Sequence, residues 1–175
     1  METRTTATVF VPSDTSAQEV RDCLHEETAQ ALGPLNDLYR LPDSIWNDDN
    51  FHGTHVASII AEATNNGVGV SGIAYQSAIM PVKVLDSEGF GSNSGIAEGI
   101  DYAVNFRPGG VNPVRVINLS LGGSTRSQAV ESAIGRAVAA GITVVASAGN
   151  DNTNPVDYPA AYDNVIAVGS VDGRK

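Results

Sequence analysis

Short apolar runs alternate in this chain with stretches that are apolar on one helical face only, and few folds accept that alternation. The runs are Ala78 to Leu85, Val114 to Leu119, Ile142 to Ala148 and Asn164 to Gly169. The one-sided stretches are Val56 to Ala63, Ser94 to Phe106 and Ser127 to Ala140. A strand that is apolar along its whole length is buried on both faces, which in practice means a parallel sheet. Parallel neighbours need a crossover, usually a helix, and such crossovers are right-handed. The expected fold class is therefore α/β, with a mostly parallel central sheet and helices on both faces in three layers. In sheets of this kind ligands bind outside the carboxyl ends of the strands.

Residues 1–51 read differently. They hold one glycine, Gly33, whereas residues 52–175 hold the other seventeen. The first stretch carries ten acids and three bases, the second ten and seven. Thr6 to Val11 is β-branched enough to be a strand. Ser16 can cap a helix over about 17–32, with Glu19 completing a capping box and Gly33-Pro34 ending it. Leu35 to Asn50, rich in Asp, Asn and Pro, reads as a long loop. A short α+β segment, 1–51, is thus expected ahead of the α/β part, 52–175.

Three strings at predicted element ends carry chemistry. His52-Gly53-Thr54-His55-Val56-Ala57 opens a helix, Ile117-Asn118-Leu119-Ser120-Leu121-Gly122-Gly123 ends a strand, and Ala146-Ser147-Ala148-Gly149-Asn150 ends the next. An imidazole held by a helix start suits a general base that must return its proton. An amide at a strand end can face a developing oxyanion. The backbone of Ser120-Leu121-Gly122 can receive an extended peptide as an added strand.

These motifs, in this order, make residues 52–175 resemble the subtilisin-like serine protease family. Pro81-Val82-Lys83-Val84-Leu85 and Val165-Ile166-Ala167-Val168-Gly169 add to the likeness. The resemblance implies a partial subtilisin-like fold acting as a serine endopeptidase on polypeptide substrates. It implies that His52 is the base of a Ser-His-Asp triad, with His55 a structural neighbour, and that Asn150 is the side-chain donor of the oxyanion hole. It also implies that Gly89-Phe90-Gly91 and Ser120-Leu121-Gly122 flank the substrate backbone. Ser147, Gly149 and Asp151 would line the pocket for the residue before the scissile bond. An Asp at 151 either favours Lys or Arg there or is a solvated loop charge. The segment from Thr64 to Val70 matches a calcium-binding loop of many relatives, so Thr64, Asn66, Val68 and Val70 are candidate calcium ligands; loop oxygens suit that ion. The alternative is a tight Asn-Gly turn without metal. Tyr158-Pro159 resembles a family position with a cis peptide bond. The family implies secretion, although no basic stretch followed by an apolar core is present at the N-terminus.

Two parts of the family pattern are missing from the 175 residues. No Asp-[Ser/Thr]-Gly precedes His52; Asp14, in Asp14-Thr15-Ser16, lacks the glycine and reads as a turn or capping residue. No serine stands in a Gly-Thr-Ser context. The chain is therefore expected to be an incomplete and inactive protease, with a non-catalytic peptide-binding relic and, more remotely, a zincin-like metal protein as the alternatives. Residues 1–50 instead resemble an uncharacterised bacterial family with a zincin-like helix. Glu26-Glu27-Thr28-Ala29-Gln30 has the His-Glu-x-x-His spacing with Glu and Gln at the ligand places, so zinc is not expected. The parts meet near Phe51-His52, as a gene fragment, a misassembled frame or a true fusion.

The remaining observations exclude classes. A net charge of −10 disfavours nucleic acid as a partner. The apolar runs are too short to cross a membrane. The lone Cys23 makes no intrachain disulfide and reads as a half-buried thiol. Oligomeric state is not readable from the chain.

Overall fold

A computed structural model of the protein describes residues 52–66, 71–151 and 156–171, together with the backbone of residues 6–10. The expected helix over 17–32, the loop after it and Cys23 lie outside the described residues.

Among the described residues five strands form one sheet in which every pairing is parallel. They are β1 (Thr6–Phe10), β2 (Ala78–Pro81), β3 (Val114–Leu119), β4 (Thr143–Ser147) and β5 (Val165–Val168), in the order β2-β1-β3-β4-β5. The first strand of the chain thus lies between β2 and β3, pairing Phe10 with Leu119 at its carboxyl end. The glycine boundary at residue 51 is therefore not a boundary of the sheet. The expected strand from Ala78 to Leu85 stops at Pro81. Proline brings no N–H to a ladder, and Val82, Val84 and Leu85 pack against the core as a loop instead.

Among the described residues three α-helices accompany the sheet: α1 (His52–Ala61), α2 (Asn93–Asn105) and α3 (Gln128–Ala139). Helix α2 begins where the Ser92 hydroxyl accepts the Gly95 N–H at 3.0 Å, satisfying one orphan donor of the first turn. It buries Ile96, Ala97, Ile100, Ala103 and Val104, the stripe a 3.6-residue period brings to one side. At its far end the Asn112 amide donates to the carbonyls of Ala103 (3.0 Å) and Val104 (2.7 Å). Helix α3 starts at the Ser127 cap, buries Val130, Ala133, Ile134 and Ala137, and ends at Gly141 with φ 79°. There the Ile142 N–H reaches Ala137 O (3.0 Å) and the Gly141 N–H reaches Val138 O (2.9 Å), a Schellman ending.

Helices α2 and α3 pack together over β3 and β4, sealing Ile117, Leu119, Val144 and Ala146 beneath Ile100 and Ile134. Arg136 on α3 grips both carboxylate oxygens of Asp101 on α2 at 2.7 Å. Helix α1 lies against β1 and β2. Among the described residues no helix is long and apolar enough to cross a membrane.

Candidate active site

The strand ends place the three motifs around one opening. After β3 the chain passes through Ser120, buried Leu121, Gly122 and Gly123. The Gly123 N–H and carbonyl bond the Tyr158 carbonyl and N–H, each at 2.9 Å, which holds the segment extended. After β4, the Ser147 hydroxyl donates to the Leu121 carbonyl at 3.2 Å, tying the two strand ends together. Leu121 O is therefore already engaged, and strand addition has fewer open acceptors than Ser120-Leu121-Gly122 offers on paper. Gly149 follows with φ 90° and turns the chain toward Asn150. A side chain is disfavoured there by its left-handed backbone. A Cβ would also run into the Asp157 carboxylate.

His52 is the first residue of α1 and is half-buried. Its Nε2 lies 3.4 Å from the Ser120 carbonyl oxygen, so the β3 end and the start of α1 meet at the imidazole. The helix begins with buried Gly53 and Thr54, and the Ser58 hydroxyl donates to the His55 carbonyl at 2.8 Å. His52 is thereby seated on a rigid element, as its position in the sequence predicts.

A cleft of about 510 Å³ takes in His52, Gly89, Phe90, Ser120, Leu121, Gly122, Ser147, Gly149, Asn150 and Asp151. The residues singled out for base, amide donor and substrate walls therefore share one space, with one exception. Gly91 lines an adjoining cavity of about 330 Å³, between Leu85, Ile96, Val130 and Tyr162. The two spaces share Gly89, Phe90, Leu121 and Gly122. Phe90 is 71% exposed at their junction, an apolar surface open to an incoming chain.

Three residues of the cleft were given no site role by the sequence: Gly123, which ends the β3 motif, Ser124 and Asp157. Ser124 simply continues that motif. Asp157 was legible only as the residue before Tyr158-Pro159, whose peptide bond is cis as the resemblance implied. That proline corner, with the Tyr158 ring tilted 47° against Tyr162 at 4.8 Å between centroids, brings Asp157 back to the end of β4. There its N–H donates to the Ala148 carbonyl at 3.2 Å.

The candidate calcium ligands lie elsewhere. Thr64 and Asn66 are exposed just after α1, with Asn65 at φ 62°. Val68 and Val70 lie outside the described residues, as do Asp14 and Glu26 to Gln30. Among the described residues, no three His, Cys, Asp or Glu side chains gather as a metal site. A calcium site built on loop carbonyls would not depend on such a group.

Comparison with known proteins gives two family matches. The subtilase family matches residues 35–175. A family described as a protein of unknown function (DUF2927) matches residues 1–57. The chain is 47% identical over 131 residues to a subtilisin of Bacillus pumilus, covering 73% of this chain and 45% of that protein. It is 46% identical over 127 residues to a thermostable alkaline protease of Halalkalibacterium halodurans (73% of this chain, 33% of that one). It is 42% identical over 132 residues to the minor extracellular protease Epr of Bacillus subtilis (75% and 19%). The chain spans less than half the length of each of these relatives.

Proposed function

The chain belongs to the subtilase family, and we propose that it supplies the base, the oxyanion donor and the substrate walls of a serine endopeptidase. The observation that carries this reading is the shared cleft of His52, Asn150 and the strand end Ser120-Leu121-Gly122. In the complete reaction a serine oxygen attacks the peptide carbonyl, and its proton passes to His52 and then to the leaving amine. The Asn150 amide and backbone N–H groups stabilise the oxyanion as it forms. An acid orients the imidazole. The segments around Phe90 and Leu121 hold the substrate backbone between them. One relative is named an extracellular protease, and a site of action outside the cell is part of the proposal.

The 175 residues contain neither a Gly-Thr-Ser nor an Asp-[Ser/Thr]-Gly string, so this chain by itself binds peptide without turning it over. Residues 1–51 are a segment of different origin in this reading, supported by the second family match over 1–57, which the subtilase match overlaps from residue 35 onward. The test is digestion of casein together with labelling by a fluorophosphonate, which marks only activated serines. Neither reaction is expected. Casein cleavage abolished by His52→Ala would show the chain to be an enzyme as it stands. Calcium at the loop of Thr64, Asn66, Val68 and Val70 belongs to the same proposal; adding the ion should raise the thermal midpoint, and an unchanged midpoint would remove it.

A further inference from the structure

Helix α1 carries the imidazole, yet little on its own surface fixes where it lies. Its buried residues are Gly53, Thr54, Ala57 and Ser58, all small. The larger Val56 and Ile60 stay half-buried and Ile59 is exposed. Helices α2 and α3, by contrast, drive Ile96, Ile100 and Ile134 into the core. Large side chains lodged between their neighbours set where a helix sits along its axis. In α1 the first large buried side chain comes one residue past the helix, at Glu62.

That far end is held by backbone. Residues 71–77 fold back over the last turn of α1 before entering β2, and three successive N–H groups meet carbonyls there. Gly72 donates to Glu62 O at 3.2 Å, Ile73 to Ile59 O at 3.1 Å and Ala74 to Ile60 O at 2.7 Å. These are carbonyls that a helix end leaves without internal partners. The Ser77 N–H then donates to Ala74 O at 2.7 Å, and β2 begins at the next residue. Side chains add little to this strap, since Ile73 is 88% exposed. Gly72, which is buried, lets it approach. A Cβ there would run into the Glu62 nitrogen and stand 2.7 Å from the Ala61 Cα and carbonyl carbon. That is about 1 Å short of ordinary carbon–carbon contact, and no rotamer change clears a backbone atom. A side chain at 72 therefore lifts the strap off or pushes α1 along its axis. At the other end of α1 stands His52, with Nε2 3.4 Å from Ser120 O.

We propose that Gly72 is a positioning residue for the base: by admitting the strap onto the end of α1, it fixes where the His52 imidazole stands beside the end of β3. Gly72 acts through a helix about 15 Å long and is not among the residues lining the cleft. The inference rests on the reading of His52 as the base and adds the residue that sets its place. Displacing a reacting group by about 1 Å is enough to slow a reaction roughly a hundredfold, so a small shift of α1 matters to the chemistry.

The test records the imidazole NMR signals of His52 in the labelled 175-residue chain, assigned by their loss in His52→Ala. Gly72→Ala should move those signals and weaken the through-space contact between the ring and Ser120, while the methyl signals of Ile117 and Ile134 hold still. A pair of variants at the next position separates the hydrogen bond from the side chain, and decides the matter even where Gly72→Ala fails to fold. Ile73→Pro removes the N–H that Ile59 O accepts and should reproduce the movement. Ile73→Ser keeps that donor, trims an exposed side chain and should leave His52 in place. Unmoved His52 signals in a folded Gly72→Ala or Ile73→Pro chain would overturn the assignment. Equal movement in Ile73→Ser and Ile73→Pro would overturn it too, as would core methyls that move along with His52. Each of these results leaves the base reading standing, because the spectrum reports only where the ring lies. That reading fails separately, if added peptide leaves the His52 signals of the unaltered chain unchanged.

Discussion

The layer between α2, α3 and the sheet and the cleft at the strand ends are a few residues apart along the chain, yet different physics governs them. Beneath the helices, Ile100, Ile117 and Leu119 are completely buried, and Ile134 nearly so. Just beyond, Gly122, Gly149 and Asn150 are exposed and His52 and Ser120 half-buried. Past the end of β3 the change takes three residues, from buried Leu119 through half-buried Ser120 and buried Leu121 to exposed Gly122. The packed layer is held by burial of apolar area, and the cleft by a small number of directed bonds such as Ser147 to Leu121 O. Stability should therefore reside in the first region and binding in the second.

Removing a core side chain is the strongest way to break that contrast. Ile117→Ala should cost about 2–5 kcal/mol of folding stability in urea unfolding, the range for large-to-small core changes. A smaller loss would mean that the α2–α3 layer is loosely packed. Gly149→Ala comes next, at about 1–3 kcal/mol from its left-handed backbone. It should also displace the Asp157 carboxylate, so that peptide binding at the cleft falls together with the midpoint. His52→Ala and Asn150→Ala should have the smallest effect, within about 0.5 kcal/mol. A large destabilisation from either would make it a structural residue and weaken the division between the two regions.

The same contrast explains what the sequence revealed. Helix α3 was legible down to its caps at Ser127 and Ala140, because the local period, the N-cap and a glycine ending agree. Strand β3 was legible at both ends, Val114 and Leu119. Strand β2 was overextended by four residues because Val82, Val84 and Leu85 are apolar for packing and not for pairing. The place of β1 between β2 and β3 was not legible at all, since composition sets residues 1–51 apart and pairing partners leave no local trace. At the cleft, His52 and Asn150 were found through motifs with a definite order. Asp157 was not, because its position depends on a corner in the chain and on the empty sides of two glycines far away in sequence.

The outer strand adds another difference between regions. Ile166 and Val168 on β5 are 54% and 51% exposed, although their partners across the ladder, Val145 and Ser147, are half-covered. Apolar residues on an exposed edge strand promote self-association. Concentration-dependent loss of soluble protein should therefore decrease in Ile166→Thr, which keeps a β-branched side chain and reduces its apolar surface. An unchanged loss would place the sticky surface elsewhere.

The claim on which the rest depends is that a peptide lies along the ends of β3 and β4, next to His52. Amide correlation spectra of the labelled chain, recorded while acetyl-Ala-Ala-Pro-Leu amide is added, test it most directly. The account predicts saturable shifts at Ser120, Leu121, Gly122, Gly149, Asn150 and His52, with the signals of Ile134 and Ala137 unmoved. Shifts confined to other parts of the sheet, or none at saturating peptide, would contradict it.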